Sequence, residues 1–131
     1  MDFLELEDKN DRQIIFDVFD LNDLQCSIFQ ELQDNKKTVQ EIAEDVDRNR
    51  STVQRSLQEM MDKDLLMREG RTEKTVYYVY TTLPIEELRE LTCEVVQTWA
   101  EQVEQKLDWI FILSVLPEQV SKVSQSYQFA Q

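Results

Sequence analysis

Three arginines fall within eight residues, Arg48-Asn49-Arg50-Ser51-Thr52-Val53-Gln54-Arg55, with no acid among them. The chain of 131 residues carries 27 acidic and 14 basic side chains, a formal net charge of −13. Guanidinium groups gathered against so acidic a background fit a phosphate backbone best. Residues 48–74 hold seven basic and five acidic side chains, a net +2, which leaves −15 for the rest. The acids Asp62 and Asp64 lie near the far end of the helix expected here and do not cancel the arginines. The full candidate set for nucleic acid is Thr38, Gln40, Arg48, Arg50, Ser51, Thr52, Gln54, Arg55 and Gln58, with Arg71 and Lys74 further on. Gln54 suits adenine, and Arg50 or Arg55 suits guanine. The alternative for each is a phosphate contact or a solvated helix face.

Other chemistry is poorly supplied. The chain has no His for general acid–base work, nucleophile activation or metal binding. A single Gly argues against a nucleotide-cradling loop, and no paired-acid motif appears. Cys26 and Cys93 are too few for a metal site or a disulfide framework. They read as small apolar side chains or, alternatively, as a redox contact between subunits. The expectation is a protein that is not an enzyme and needs no metal or cofactor.

The elements that would position the arginines can be read in order. Residues 1–20 form an N-terminal extension, in which Gln13–Phe19 reads either as a strand or as a helical turn. A helix runs from about Asn22 to Asp34, with Leu21, Leu24, Ile28, Phe29 and Leu32 on its apolar face. Asn35-Lys36-Lys37 is a polar break. Thr38-Val39-Gln40-Glu41 is a capping box that starts a short helix, Val39 to Val46. The turn Asp47-Arg48-Asn49 leads to a helix from about Arg50 to Asp64, capped by Asn49 and packed through Val53, Leu57, Met60 and Met61. In a helix-turn-helix this second helix offers its N-terminal polar residues to the major groove. Leu65–Glu69 and Thr75–Thr81 read as strands joined by the loop Gly70–Lys74, a wing carrying Arg71 and Lys74. In the second strand Tyr77 and Val79 share one face, Tyr78 and Tyr80 the other.

Pro84 opens a long helix. Leu88, Leu91, Val95, Trp99, Val103, Leu107, Ile110 and Leu113 recur at about 3.6 residues per step, the α-helical period. So long a stripe exceeds what a small winged domain can cover. Leu88 through Ile110 are therefore expected to form the interface of a homodimer. Packing explains Trp99 and Trp109 better than a ligand pocket does. The domain division is 21–83 for the DNA-binding part and 84–116 for the dimerisation helix. Residues 117–131 are a tail left open between weak helix and disorder. The N-terminus lacks the basic flank of a signal peptide and no apolar run reaches membrane-span length, so a cytoplasmic location is expected.

The stretches Leu21-Asn-Asp-Leu-Gln-Cys-Ser-Ile-Phe-Gln-Glu-Leu, Thr38-Val-Gln-Glu-Ile-Ala-Glu-Asp-Val, Arg50-Ser-Thr-Val-Gln-Arg-Ser-Leu and Lys63-Asp-Leu-Leu-Met-Arg resemble the winged helix-turn-helix domain of archaeal TrmB-like regulators. They are also similar to MarR-type regulators. The resemblance covers about residues 20–90. It implies a mainly α fold with a small β-hairpin, and a dimeric, sequence-specific transcription factor on double-stranded DNA. By that resemblance Arg50, Ser51, Thr52, Gln54 and Arg55 match the DNA-reading helix, and Arg71 with Lys74 the wing. No sugar-binding domain follows residue 113, which argues against a sugar effector. The acidic, lysine-poor composition, 12 Asp against 7 Lys, suggests a haloarchaeal source. The second functional reading is a winged-helix interaction module in a transcription or chromosome-maintenance complex, in which the Arg48–Arg55 patch would be dispensable.

Overall fold

The computed structural model describes residues 9–107. Ile110, Leu113, Trp109, Pro117, the tail and residues 1–8 lie outside the described residues. The chain divides into two units, one ending at Cys93 and one beginning at Glu94.

The first unit is mainly helical. Helix α1 spans Asp11–Val18, α2 Asp23–Leu32, α3 Val39–Val46 and α4 Arg50–Asp62. Strands β1 (Lys37–Thr38), β2 (Leu66–Thr72) and β3 (Val76–Thr82) form an antiparallel sheet in the order β1-β3-β2. Helix α5, Ile85–Lys106, begins in the first unit and continues into the second.

The helix starts follow from local chemistry. Asn10 with Gln13, Asn22 with Gln25, and Thr38 with Glu41 each form a reciprocal capping box, satisfying two of the orphan N–H groups at each helix start. The first of these resolves Gln13–Val18 as helix, with Phe19 as its C-cap, and its buried residue is Ile15. The ends share another device. Asp20, Asp34, Asp47 and Asp64 have φ of 52°, 65°, 53° and 62°, the left-handed region usually given to Gly. After α1, α3 and α4 the next N–H reaches back five residues: Leu21 to the Phe16 carbonyl, Arg48 to Ala43, Leu65 to Met60. These are Schellman closures with Asp in the left-handed position. Asp64 thereby ends α4 at Asp62, two residues before the expected stop.

The core is built from Ile15, Ile28, Phe29, Leu32, Ile42, Val53, Leu57, Met60, Leu65 and Leu88, all at most 2% exposed. Phe16 meets Phe29 edge to face, with centroids 5.2 Å apart. Leu21, Leu24, Val46 and Met61, expected inside, are only half-buried. Helices α2, α3 and α4 pack mutually, and α4 also packs on β2. Gln25, 2% exposed, donates its amide to Glu59 at 2.7 Å and so ties α2 to α4. Lys63 donates to the Phe19 carbonyl at 2.7 Å. No helix among the described residues is long and apolar enough to cross a membrane.

The hairpin corrects the expected strand limits. Gly70 and Arg71 are not loop residues; they pair in register with Tyr78 and Tyr77. Gly70 has no positive φ, so it is a strand glycine and not a turn glycine. The turn is confined to residues 73–75, where the Glu73 N–H meets the Thr75 carbonyl. Lys37 and Thr38, expected as part of a break and a cap, also pair with Tyr80 and Val79.

Candidate nucleic-acid interface

Helix α4 turns Val53, Ser56, Leu57 and Met60 inward. Its spacing then fixes what faces out: Arg50, Ser51, Gln54, Arg55 and Gln58 are exposed, and Thr52 lies half-buried at the border. Arg48 and Asn49 precede it in the turn, both exposed. The Asn49 Oδ1 accepts from the Thr52 N–H at 2.8 Å.

Two electrostatic features set α4 apart. Helices α1, α2, α3 and α5 each carry an acid in the first turn, which opposes the positive end of the helix dipole. The first turn of α4 carries none and has Arg50 in its place. A helix start left positive and then given an arginine is an anion-attracting end.

The second feature is the pairing of cations. The described residues include 13 basic side chains. Seven are engaged by acids, amides or carbonyls: Lys9 with Asp17, Arg12 with Gln33, Lys36 and Arg71 with Glu69, Lys37 with Glu31 and Asp45, Lys63 with the Phe19 carbonyl, and Arg89 with Asp11. Arg68 lies over the Tyr78 ring. Arg48, Arg50, Arg55, Lys74 and Lys106 make no side-chain hydrogen bond or ion pair among the described residues. In a chain with almost two acids per base, four of the five uncommitted cations belong to the candidate set. Partners raise the pKa of two committed ones: Lys37 through the hydrogen bonds it donates to Asp45 and then Glu31, and Arg89 through those it donates to Asp11.

The remaining candidates differ. Thr38 is half-buried, and its hydroxyl oxygen accepts the Glu41 N–H as a cap. Gln40 and Gln58 are exposed but donate to Glu44 and Asp62, at 3.1 and 2.9 Å. Lys74 sits in the exposed hairpin turn. Arg71 is in β2, 3.8 Å from a Glu69 carboxylate oxygen. Burial raises the Cys26 thiol pKa, with Asp23 and Asp17 adding to it, and the thiol points at the Leu21 carbonyl.

On α5, Leu88 is fully buried in the first unit and serves its core, leaving no surface for a partner. Leu91, Val95 and Val103 are half-buried. Trp99 and Leu107 are 55% and 47% exposed. Ile110 lies outside the described residues.

A capped helix, a three-residue turn, a second helix bearing uncommitted arginines and an antiparallel hairpin make this a winged helix-turn-helix protein. The family described as sugar-specific transcriptional regulator TrmB matches residues 16–86, and the chain belongs to that family. It is therefore a DNA-binding transcription regulator. It is 30% identical over 94 residues to uncharacterized protein MJ1082 of Methanocaldococcus jannaschii, covering 70% of this chain and 78% of the relative. A possible transcriptional regulator from Methanosarcina mazei Go1 superposes with a TM-score of 0.62 at 20% identity, over 72% of this chain and 82% of that one. MepR of S. aureus, solved as a DNA complex, superposes at 0.51 with 20% identity, over 86% of this chain and 94% of that one. These two likenesses establish the fold.

Proposed function

We propose that the protein acts as a homodimer on a pseudo-palindromic promoter site, with α4 of each subunit in the major groove. The observation that carries this reading is the acid-free start of α4, where Arg48, Arg50 and Arg55 stand uncommitted among the described residues of a −13 chain. Gln54 and Ser51 lie between them on the exposed arc and supply donors and acceptors for base edges. The apolar stripe of α5 beyond Leu88, from Leu91 through Leu107, pairs with its counterpart. Two recognition helices then meet successive major grooves about 34 Å apart.

The host is proposed to hold high internal salt. Aspartate at all four left-handed helix ends among the described residues, where Gly is commonest, fits the same acid-enriching bias as the composition. Few counterions can then drive binding, and base contacts and shape carry more of the affinity. The expected slope of log affinity against log salt is shallower than the value near −10 of strongly basic binders.

The test is fluorescence anisotropy on duplex fragments selected by genome-wide mapping of bound sites. The variants are Arg50→Ala, Arg55→Ala and, as a control cation outside the candidate set, Lys106→Ala. Both α4 variants are expected to lose about five- to hundredfold in affinity, the range of one base or phosphate contact, with unchanged melting. Lys106→Ala is expected to bind as wild type. Absence of duplex binding by the wild type at every salt concentration sinks the DNA reading.

A further inference from the structure

The two faces of the hairpin are electrically different. Register pairs Arg68 with Tyr80 and Gly70 with Tyr78 on one face, and Glu69 with Val79 and Arg71 with Tyr77 on the other. On the Arg71 face, the single carboxylate of Glu69 meets Lys36 at 3.3 Å and Arg71 at 3.8 Å. Both cations there are already partnered. The Arg68 face carries no acid along the paired hairpin. Its base is buried through Leu66, Tyr80 and Thr82, and β2 is the strand that packs on α4. Arg68 is therefore the cation on the acid-free face of a hairpin whose first strand packs on α4.

Arg68 is also held in place. Its guanidinium carbon lies 4.4 Å from the centre of the Tyr78 ring, which itself lies across Gly70. A guanidinium held over a ring in a cation–π contact still has N–H donors to offer another partner. No carboxylate or carbonyl among the described residues takes those donors. A planar donor fork, oriented in advance and free of an acid, is the geometry that binds a phosphate bidentately.

We propose that Arg68, braced by Tyr78, is the residue through which the wing grips the DNA backbone, and that Arg71 is not. This rests on the DNA reading above and adds a second, sequence-independent contact beside α4.

The experiment measures affinity and its salt dependence on a random-sequence duplex, since a phosphate contact carries no sequence information. Arg68→Gln is expected to weaken binding at least about tenfold, the worth of one charge-assisted hydrogen bond. It is also expected to flatten the log–log salt slope by about 0.9 for each Arg68 engaged. Arg71→Gln is expected to bind as wild type. Tyr78→Phe keeps the ring and is expected to be silent, whereas Tyr78→Leu removes the brace and weakens binding with melting unchanged. If Arg68→Gln binds as wild type while Arg55→Ala does not, this assignment is overturned and the DNA reading stands. If Arg71→Gln loses as much as Arg68→Gln, the assignment is likewise overturned. A wild-type protein that binds no duplex removes the DNA reading and this contact together.

Discussion

Replacing Asp20, Asp34, Asp47 and Asp64 together with asparagine is expected to stabilise the fold in low salt, and the gain is expected to fade as salt rises. All four residues are exposed, and none makes a side-chain hydrogen bond or ion pair among the described residues, so no contact is lost. Asn tolerates the left-handed backbone about as well as Asp, so the conformational term largely cancels. Electrostatics remains. Each carboxylate sits within a residue or two of a helix end whose carbonyls carry about half a negative charge. Relief of that repulsion contributes about 0.3–1 kcal/mol per exposed site at low ionic strength. Four independent sites give about 1–4 kcal/mol, and a domain of this size gains about 4–8 °C in melting temperature per kcal/mol. Thermal melts in about 20 mM and about 2 M salt are the assay. At the higher salt the screening length falls below about 3 Å and most of the gain should vanish. An unchanged or lower melting temperature in low salt refutes the electrostatic account. A gain that persists in 2 M salt, about the same size, refutes it equally, because it would then come from backbone preference.

Two further outcomes follow from the packing. Lys37 bridges Glu31 at 3.0 Å and Asp45 at 2.5 Å, joining α2 to α3, and these carboxylates raise its pKa. Stability from a raised lysine is fully present below the unfolded-state value and is lost as pH climbs through the folded one. Lys37→Met is therefore expected to cost about 1 kcal/mol at neutral pH, and the difference from wild type to close in strongly alkaline solution, as read by urea melts across pH. On α5, Val95→Asp or Val103→Asp is expected to convert dimer to monomer in analytical ultracentrifugation without unfolding the winged domain; variants that sediment as dimers would place the interface elsewhere.

Much of the scaffold is legible in local sequence because its signals are local. The Thr38/Glu41 capping box starts α3 where expected, Asn49 caps α4, and Pro84 precedes α5. Helix α1 was equally marked: Asn10 and Gln13 have the spacing of a capping box, a signal that outweighs the β-branched look of Ile14-Ile15. The same pair recurs at Asn22 and Gln25. Strand β1 was not legible, since two residues become a strand only by pairing with β3 more than 40 residues away. The hairpin departs from its expected limits at Gly70 for a related reason. A lone glycine beside charged residues suggests a turn, but cross-strand pairing with Tyr78 decides its conformation.

The candidate interface divides along the same line. That arginines cluster near the start of α4 is a property of the sequence. That they stay uncommitted among the described residues is a property of the fold, because acids outnumber bases in the chain and could have reached them. The fold instead assigns its acids elsewhere: Glu31 and Asp45 hold Lys37, Glu69 holds Lys36 and Arg71, Asp11 holds Arg89, and Glu59 is held by Gln25. The sequence singles out Arg71 as a wing cation and passes over Arg68, whereas the hairpin register puts the two on opposite faces. Adjacent strand positions alternate between faces every 3.4 Å or so, and only one of those faces carries an acid. Charge totals by segment find the neighbourhood of a binding surface; which cations remain available to a phosphate depends on the register of the hairpin and on the partners each acid has already taken.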